Sequence, residues 1–334
     1  MILIVILHMK NQHKNRQTAM KKKVIFISIA SVILLLTCFA LFLYTRTSQE
    51  QMAPERSSGL IGSFALHSSP RFVEVRPGLM FKIDTGSDYS SITEKDLAFL
   101  DSLGFKATES TYPELGRNGA GDLLFKTHRI TVDLPIYKWN SFTDSTGMTI
   151  KQCLFNESNV IRNVDFVPSA LPYSVLGIDF LEKFNVEFKA GEGLLSLYLN
   201  TPEGYEPCAP LKISNSLIDW LTVSNRYFLP VTVDNVTDNY FFDTGVPRAF
   251  IKRPMKQLDP DSPHVTDDTV VNNRGKYPAK ADPNGWVTIG DRQGKHIIYY
   301  YDTDEESHSI NPLNMFDNID IVFNFPDQML YFRK

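Results

Sequence analysis

The sequence predicts a mostly β chain that is built from two diverged copies of one unit and preceded by a single transmembrane helix. Three observations support this fold class. From about residue 67, short apolar or alternating runs recur with Gly, Pro, Asn and Asp between them, which is typical of strands and turns. The tripeptide Asp-Thr-Gly ends an apolar run twice, at 84–86 and 243–245. An apolar segment of 21 residues without a charge lies near the N-terminus, at 24–44.

The apolar segment at 24–44 has the length that a helix needs to cross a bilayer. Residues 1–23 contain six basic and no acidic residues. The positive-inside rule therefore predicts a short basic tail in the cytoplasm, followed by a single-pass anchor. A cleaved signal peptide is the competing interpretation, but its apolar region is usually shorter and is followed by small residues at the cleavage site.

This topology places the remainder of the chain outside the cytoplasm. Disulfides are allowed there, and the sequence leaves open whether Cys153 and Cys208 pair. It also leaves open whether residues 1–19 belong to the protein, because Met20, followed by three lysines, is a more natural start.

The chain after its basic tail is acidic, with 28 basic and 38 acidic residues beyond residue 23. Nucleic-acid binding requires a basic surface, so we expect no nucleic-acid partner. The seven histidines are scattered without the spacing of metal ligands. Phosphate-binding glycine loops, dinucleotide fingerprints and the Gly-x-Ser-x-Gly motif do not occur in the sequence. The sequence therefore predicts neither a metal nor a cofactor.

The folded part is predicted to consist of two halves whose elements match in order. In each half, a strand and a turn precede the strand that ends at Asp-Thr-Gly, an apolar segment follows, and two further strands close the half. The proline-containing stretch at 201–210 is typical of a linker. We therefore expect a tether at 45–66, an N-terminal lobe at 67–205 and a C-terminal lobe at 206–334.

These features resemble one enzyme family. An apolar strand that ends in Asp-Thr-Gly, followed much later by two apolar residues and Gly before a short helix, resembles the pepsin- and retropepsin-type aspartic peptidases. In the first half the later element is Val175-Leu176-Gly177. The resemblance covers roughly residues 67–334 and is specific at these few points. It implies a bilobed, acid-protease-like fold in a single chain, built from two diverged retropepsin-like repeats.

The resemblance also implies a site made of two aspartates, one from each lobe. Asp84 and Asp243 would form the acid–base pair that activates a water to hydrolyse a peptide bond. Two carboxylates at such a site share a proton, because both cannot easily be charged at short distance. The remaining residues would support the two loops. Thr85 and Thr244 would form hydrogen bonds across the two-fold axis, and Gly86 and Gly245 would offer N–H groups to the carboxylates. Ser87 would bond the outer oxygen of Asp84, and Leu176 and Gly177 would lie over the Asp84 loop.

The second half departs from the family pattern at two points. Val246 stands where the first half has Ser87, so its side chain cannot bond Asp243. The second half lacks an apolar-apolar-Gly element, and Ser309 is the expected counterpart of Gly177. The sequence therefore leaves open whether the Asp243 loop is competent for catalysis.

Three functional hypotheses follow from the sequence. The first is a membrane-anchored aspartic endopeptidase that faces outward and acts on a peptide or protein substrate. The second is a catalytically silent relative that binds a peptide or a protein partner in the cleft between the lobes, and the two departures favour it. The third is an unrelated β-rich surface protein, in which each Asp-Thr-Gly is an ordinary strand-end turn.

Overall fold

The structure is a computed structural model that describes most of the chain after residue 58. The chain divides into two compact units, Met1–Gln51 and Met52–Lys334. The strands described below all belong to the second unit. The described residues are 32–33, 59–67, 72–117, 123–214, 216, 222, 224–247, 250–259, 262–272, 275–302, 308–313, 315–316 and 319–334.

The predicted membrane anchor at 24–44 lies outside the described residues, apart from Val32 and Ile33, which are helical. Within the described part of the chain, no helix has both the length and the apolar character that crossing a membrane requires. The anchor and the topology derived from it stay predictions from the sequence.

The first half of the body is made of strands β1 to β10 and two helices. Thr93 caps the first helix, since its hydroxyl accepts a hydrogen bond from the N–H of Asp96 at 3.1 Å. The elements of this half are β1 Leu60–Leu66, β2 Phe72–Arg76, β3 Leu79–Asp84, β4 Ser91–Ile92, α1 Glu94–Ser102, β5 Thr108–Arg117, β6 Leu123–Thr143, β7 Thr149–Pro168, β8 Ser174–Gly177, α2 Ile178–Leu181, β9 Asn185–Lys189 and β10 Leu194–Tyr198.

The second half continues with strands β11 to β21 and one short 3₁₀ helix. β13 alternates along its length and buries every second residue against the core, whereas β15, β19 and β20 are buried at every position. The elements are β11 Tyr205–Pro210, β12 Lys212–Ile213, β13 Tyr227–Val233, β14 Val236–Phe242, β15 Phe250–Arg253, the 3₁₀ helix Met255–Gln257, β16 Thr266–Asn272, β17 Gly275–Ile289, β18 Arg292–Tyr300, β19 Ser309–Asn311, β20 Ile321–Asn324 and β21 Met329–Arg333.

The two halves have the same strand order. The first runs β1-β2-β3-β8-β4-β7-β6-β5, and the second runs β12-β13-β14-β19-β15-β18-β17-β16. In both halves the inserted strand, β8 or β19, is parallel to the strand before Asp-Thr-Gly and antiparallel to the strand after it. β4 and β7 are parallel, as are β15 and β18. The structure therefore repeats one unit, as the matching order of the sequence predicted.

A shared sheet joins the halves. β9 and β20 pair antiparallel where the halves meet, flanked by β10 and β21. β1 pairs with both β10 and β2, whereas in the second half β11 pairs with β21 and β12 pairs with β13. β11 and β12 together therefore correspond to the single strand β1.

Two segments expected to lack regular structure contain strands. β1 occupies the last seven residues of the expected tether, 45–66. Its Ser63 is buried, and the hydroxyl donates to a backbone carbonyl of β6 at 2.9 Å, so a polar residue does not mark a loop here. β11 occupies most of the expected linker, 201–210. Pro207 and Pro210 fit because β11 is an edge strand, where a missing N–H is tolerated.

A continuous apolar core runs through both halves of the body. Phe81 and Ile83 of β3 and Phe242 of β14 belong to it, and these residues come just before the two Asp-Thr-Gly loops. Close packing at the ends of the two strands fixes where each loop begins.

The two cysteines of the body are not joined. Cys153 and Cys208 are free thiols, and each is partly buried. The Cys208 thiol donates to the carbonyl of Ile289 at 3.2 Å, and burial raises its pKa to about 11. The disulfide that the sequence left open is therefore absent between these described residues.

Candidate active site

Each Asp-Thr-Gly loop begins where a buried strand leaves its sheet. β3 ends at Asp84, and Asp243 is the first residue after β14. Asp84 pairs with Gly177, the last residue of β8. The N–H of Asp243 donates to the carbonyl of Ile310 in β19 at 3.0 Å. The same local topology therefore positions both aspartates.

Two threonines link the loops to each other. The N–H of Thr85 donates to Oγ1 of Thr244 at 3.1 Å, and the N–H of Thr244 donates to Oγ1 of Thr85 at 3.0 Å. The hydroxyl of Thr85 in turn donates to the carbonyl of Phe242 at 3.0 Å. Both threonines are buried, so water does not compete for these bonds. Two loops that lie 159 residues apart in the chain are thus held face to face, which independent strand-end turns do not require.

Backbone N–H groups hold the two carboxylates. The N–H of Gly86 donates to Oδ1 of Asp84 at 3.1 Å, and the N–H of Gly245 donates to Oδ1 of Asp243 at 2.7 Å. Each glycine also faces the opposite loop. A Cβ on Gly86 would lie 2.9 Å from Oδ1 of Asp243 and 3.1 Å from Oδ1 of Asp84. A single methyl group at that point would touch both carboxylates, so the two acids lie close together and the loops require glycine.

The Asp84 loop is supported from below by β8. Leu176 pairs in register with Ile83 and is fully buried. A Cβ on Gly177 would lie 2.7 Å from the backbone of Tyr89, so only glycine lets β8 pass this closely. The N–H of Ile178 then donates to a backbone carbonyl of the loop at 2.9 Å. Both residues that the sequence assigned to this support therefore lie under the loop.

Ser90 and Asp179 form a second support that the sequence did not indicate. Asp179 accepts hydrogen bonds from the N–H and the hydroxyl of Ser90 at 3.0 and 2.7 Å. The Ser90 hydroxyl also accepts from the N–H of Gly177 at 3.0 Å. Burial raises the pKa of Asp179, although the bonds from Ser90 act in the opposite direction. This half-buried side chain therefore ties the loop to α2.

Asn311 takes the place of Gly177 in the second half. Phe242 pairs with Ile310 as the last register pair between β14 and β19, which puts Asn311 opposite the first residue of the loop. Ser309, the counterpart expected from the sequence, lies two positions earlier. That expectation is corrected, because without the apolar-apolar-Gly pattern the sequence offers no marker by which to align the two halves.

The side chain of Asn311 holds the second loop. It is fully buried, and its Nδ2 donates to the carbonyl of Val246 at 2.9 Å. Its Oδ1 accepts from the N–H of Leu313 at 3.2 Å. In the first half the N–H of Ile178 bonds the carbonyl of Ser87, the residue that matches Val246. An amide side chain thus does in one loop what a backbone N–H does in the other.

The outer oxygen of Asp84 is bound by Lys82 and not by Ser87. The Ser87 hydroxyl donates to the carbonyl of Tyr89 at 2.9 Å, so the bond predicted to Asp84 is not made. Nζ of Lys82 donates to Oδ2 of Asp84 at 2.5 Å, and the two side chains are only 5% and 3% exposed. The sequence contained the signal for this pair, since side chains two residues apart in a strand point to the same face.

A second buried lysine lies on the Asp243 side. Lys252 of β15 is buried, and its Nζ lies 4.8 Å from the centre of the Tyr301 ring. Burial raises the pKa of Tyr301, and the negative charge of Asp243 raises it further. The charge of Asp243 therefore acts on the phenol against which Lys252 packs.

The groups at the site are suited to moving protons. Two carboxylates face each other, glycine N–H groups fix their inner oxygens, and an ammonium binds one outer oxygen. Within the described residues, no group of three or more His, Cys, Asp or Glu side chains is arranged to hold a metal ion. The arrangement can therefore polarise and deprotonate a small molecule bound between the acids.

Comparison with solved structures finds 132 similar chains. The chain is similar to basic 7S globulin from soybean, with a TM-score of 0.42 and 9% sequence identity, over 82% of this chain and 94% of the globulin chain. No protein-family model matches the sequence. No curated protein matches it either. The interpretation of the site therefore depends on its own geometry.

Proposed function

We propose that this chain is an aspartic endopeptidase that hydrolyses peptide bonds through a water held between Asp84 and Asp243. The observation that carries the proposal is the reciprocal hydrogen bonding of Thr85 and Thr244, which holds the two loops together so that both carboxylates face one point. The repeated strand order supports it, because each half delivers its aspartate by the same three-strand arrangement.

The proposed reaction needs one charged and one neutral carboxyl group. The charged carboxylate takes a proton from the bound water, and the oxygen of that water forms a bond to the peptide carbonyl carbon. The neutral carboxyl group donates its proton to the carbonyl oxygen, which gives a tetrahedral diol. Breakdown of the diol breaks the C–N bond: the carboxyl group that took the proton of the water gives it to the leaving amine, and the other carboxylate takes a proton from a diol hydroxyl. Two acids within contact of a single methyl-sized point have the proximity that this exchange requires.

The remaining parts of the proposal come from the sequence. A helix at 24–44 would anchor the enzyme in a membrane with its N-terminus in the cytoplasm. The peptidase body would then act outside the cytoplasm on a peptide or protein substrate.

Cleavage of a mixed peptide library by the full-length chain, followed from acidic to neutral pH, tests the proposal. We expect Asp84→Asn and Asp243→Asn each to lower kcat/KM by at least about 100-fold, because each removes one member of the acid–base pair. Asp101→Asn is the matched control, since Asp101 is an exposed carboxylate on α1 that pairs with Lys106. Cleavage that survives either substitution in the pair would rule out the mechanism.

The second candidate is a catalytically silent protein that binds a peptide or a protein partner at the same cleft. The ion pair between Lys82 and Asp84 favours it, because a carboxylate held by an ammonium is less available for proton transfer. Folded protein that retains library peptides without cleaving them at any pH would support this candidate over the peptidase.

A further inference from the structure

Lys82 is an unusual residue for a position at the end of a core strand. It lies in β3 between Phe81 and Ile83, both of which are buried in the apolar core. Its own side chain is 5% exposed, and lysine is almost never buried to this extent without a partner. The partner is Asp84, whose Oδ2 lies 2.5 Å from Nζ. The lysine therefore belongs to the acid pair and not to the surface of the strand.

The charge of Lys82 is stable across the range in which carboxylates titrate. Burial is the largest single effect and lowers the pKa of the ammonium, but the charge and hydrogen bond of Asp84 and the charges of Asp243 and Tyr173 together outweigh it. The net effect is a raised pKa. Lys82 thus stays an ammonium at acidic and neutral pH, and only the carboxylates change their charge there.

The surroundings of Lys82 identify which charges it balances. Asp84 faces it from the same strand, Asp243 from the second loop and Tyr173 from the segment before β8. In the second half, the charge of Asp243 acts on Tyr301, and the ammonium of Lys252 lies 4.8 Å from the centre of that ring. The Lys82 ammonium brings one unit of positive charge to the acid pair, as a shared proton would.

We propose that Lys82 is a resident counterion that substitutes for the shared proton of the acid pair, so that both carboxylates are charged at neutral pH. In this state the site has a base but no neutral carboxyl group to act as the acid. A proton added to one carboxylate at lower pH leaves the ammonium with the other carboxylate and completes the catalytic pair. Lys82 is thus a positioning residue that sets the pH range in which the site can work. The kinetic consequence rests on the proposed peptidase function, whereas the charge state does not.

The pH dependence of kcat/KM for the full-length chain gives the first test. We expect Lys82→Met to move the alkaline limb of the profile upward by about 1 to 3 pH units, because the two carboxylates must then retain a shared proton. Lys82→Arg keeps the charge and should keep the wild-type profile. Lys138→Met removes an exposed pair with Glu157 at 2.8 Å and is the control for loss of a lysine. An active Lys82→Met variant with an unshifted profile would overturn the proposal.

Carbon-13 NMR of the aspartate carboxyl groups gives a second test that needs no activity. Spectra of the Asp84→Asn and Asp243→Asn variants assign the two signals. We expect both carboxyl groups to be charged at neutral pH in the wild type, and one proton to be shared in Lys82→Met. A shared proton in the wild type at neutral pH would refute the counterion role. The expected spectra without cleavage at any pH would instead reject the peptidase function and retain the role of Lys82.

Discussion

At the scale of single residues, Asp84 and Asp243 are held by different neighbours at matching positions. Lys82 binds the outer oxygen of Asp84, whereas the residue two positions before Asp243 is Phe241. The inner oxygens make the same contact, since each accepts a hydrogen bond from a glycine N–H. The two acids are therefore alike in their backbone bonds and differ in the side chain that lies two residues before each of them. Different environments for two carboxyl groups are what allow one to act as an acid and the other as a base.

Asn311 provides the first structural prediction. In Asn311→Ala, the carbonyl of Val246 and the N–H of Leu313 lose their partner inside the protein, which should lower the free energy of unfolding by about 1 to 3 kcal/mol. Because the second loop loosens, kcat should fall more than KM changes. Asn324→Ala is the matched control, as Asn324 is equally buried but bonds Thr201 and Asp327. Denaturant unfolding and steady-state kinetics measure both effects, and an equal loss of kcat in both variants would contradict a specific role for Asn311.

At the scale of secondary-structure elements, the site depends on one strand crossing beneath each loop. β8 and β19 are short, and each is inserted between the strand before and the strand after an aspartate. The crossing strand approaches the loop backbone in a different way in each half. Gly177 lets the backbones touch, while Asn311 fills the space and bonds across it. Both halves therefore contain a crossing strand. The residue at the crossing point differs, and so do its contacts: Gly177 has no side chain, and Asn311 bonds the loop with its amide.

Gly177→Ala tests this crossing. A Cβ there would lie 2.7 Å from backbone atoms of Tyr89 and 2.8 Å from the carbonyl oxygen of Ser87, and backbone cannot rotate away as a side chain does. We expect a loss of about 1 to 3 kcal/mol in unfolding free energy and a lower kcat. Gly191→Ala is the control, because a Cβ at Gly191 meets no atom within 4 Å. Equal stability of the two variants would show that β8 has more room than its contacts indicate.

At the scale of the whole molecule, much of the architecture could be predicted from sequence pattern. The repeat is visible because apolar strands before Asp-Thr-Gly recur in the same order, and the structure repeats the strand order. β1 and β11 were not predicted, because polar Ser63 and the prolines at 207 and 210 are typical of loops until tertiary contacts are known. Lys82 was overlooked for a related reason: a lysine in a strand suggests a solvent-facing side, and only its partner shows that it is buried.

A carboxylate also joins the two halves away from the acid pair. Glu182 follows α2 in the first half, and its Oε2 accepts from the backbone N–H of Asn225 at 3.2 Å, from the Asn225 amide at 3.0 Å and from the Tyr227 hydroxyl at 3.2 Å. Burial raises the pKa of Glu182 to about 7, against the opposing effect of the bonds from Asn225. The folded protein therefore keeps a proton on this group in a range where the unfolded chain has lost it.

Stability should consequently fall as pH rises through this range. The carboxyl group releases its proton near the ordinary glutamate pKa of 4.5 in the unfolded chain and near 7 in the folded protein, so unfolding releases a proton between these values. We expect the contribution to be about 1 to 2 kcal/mol, after allowance for solvent screening of a partly exposed group.

Glu182→Gln keeps a carbonyl acceptor for Asn225 and cannot ionise, so its advantage in unfolding free energy over the wild type should appear as pH rises from 4.5 to 7. Glu157→Gln, at an exposed carboxylate paired with Lys138, should show no such divergence. Urea unfolding at several pH values measures this divergence. If the unfolding free energies of the wild type and Glu182→Gln changed in parallel with pH, Glu182 would already be charged when it bridges the halves.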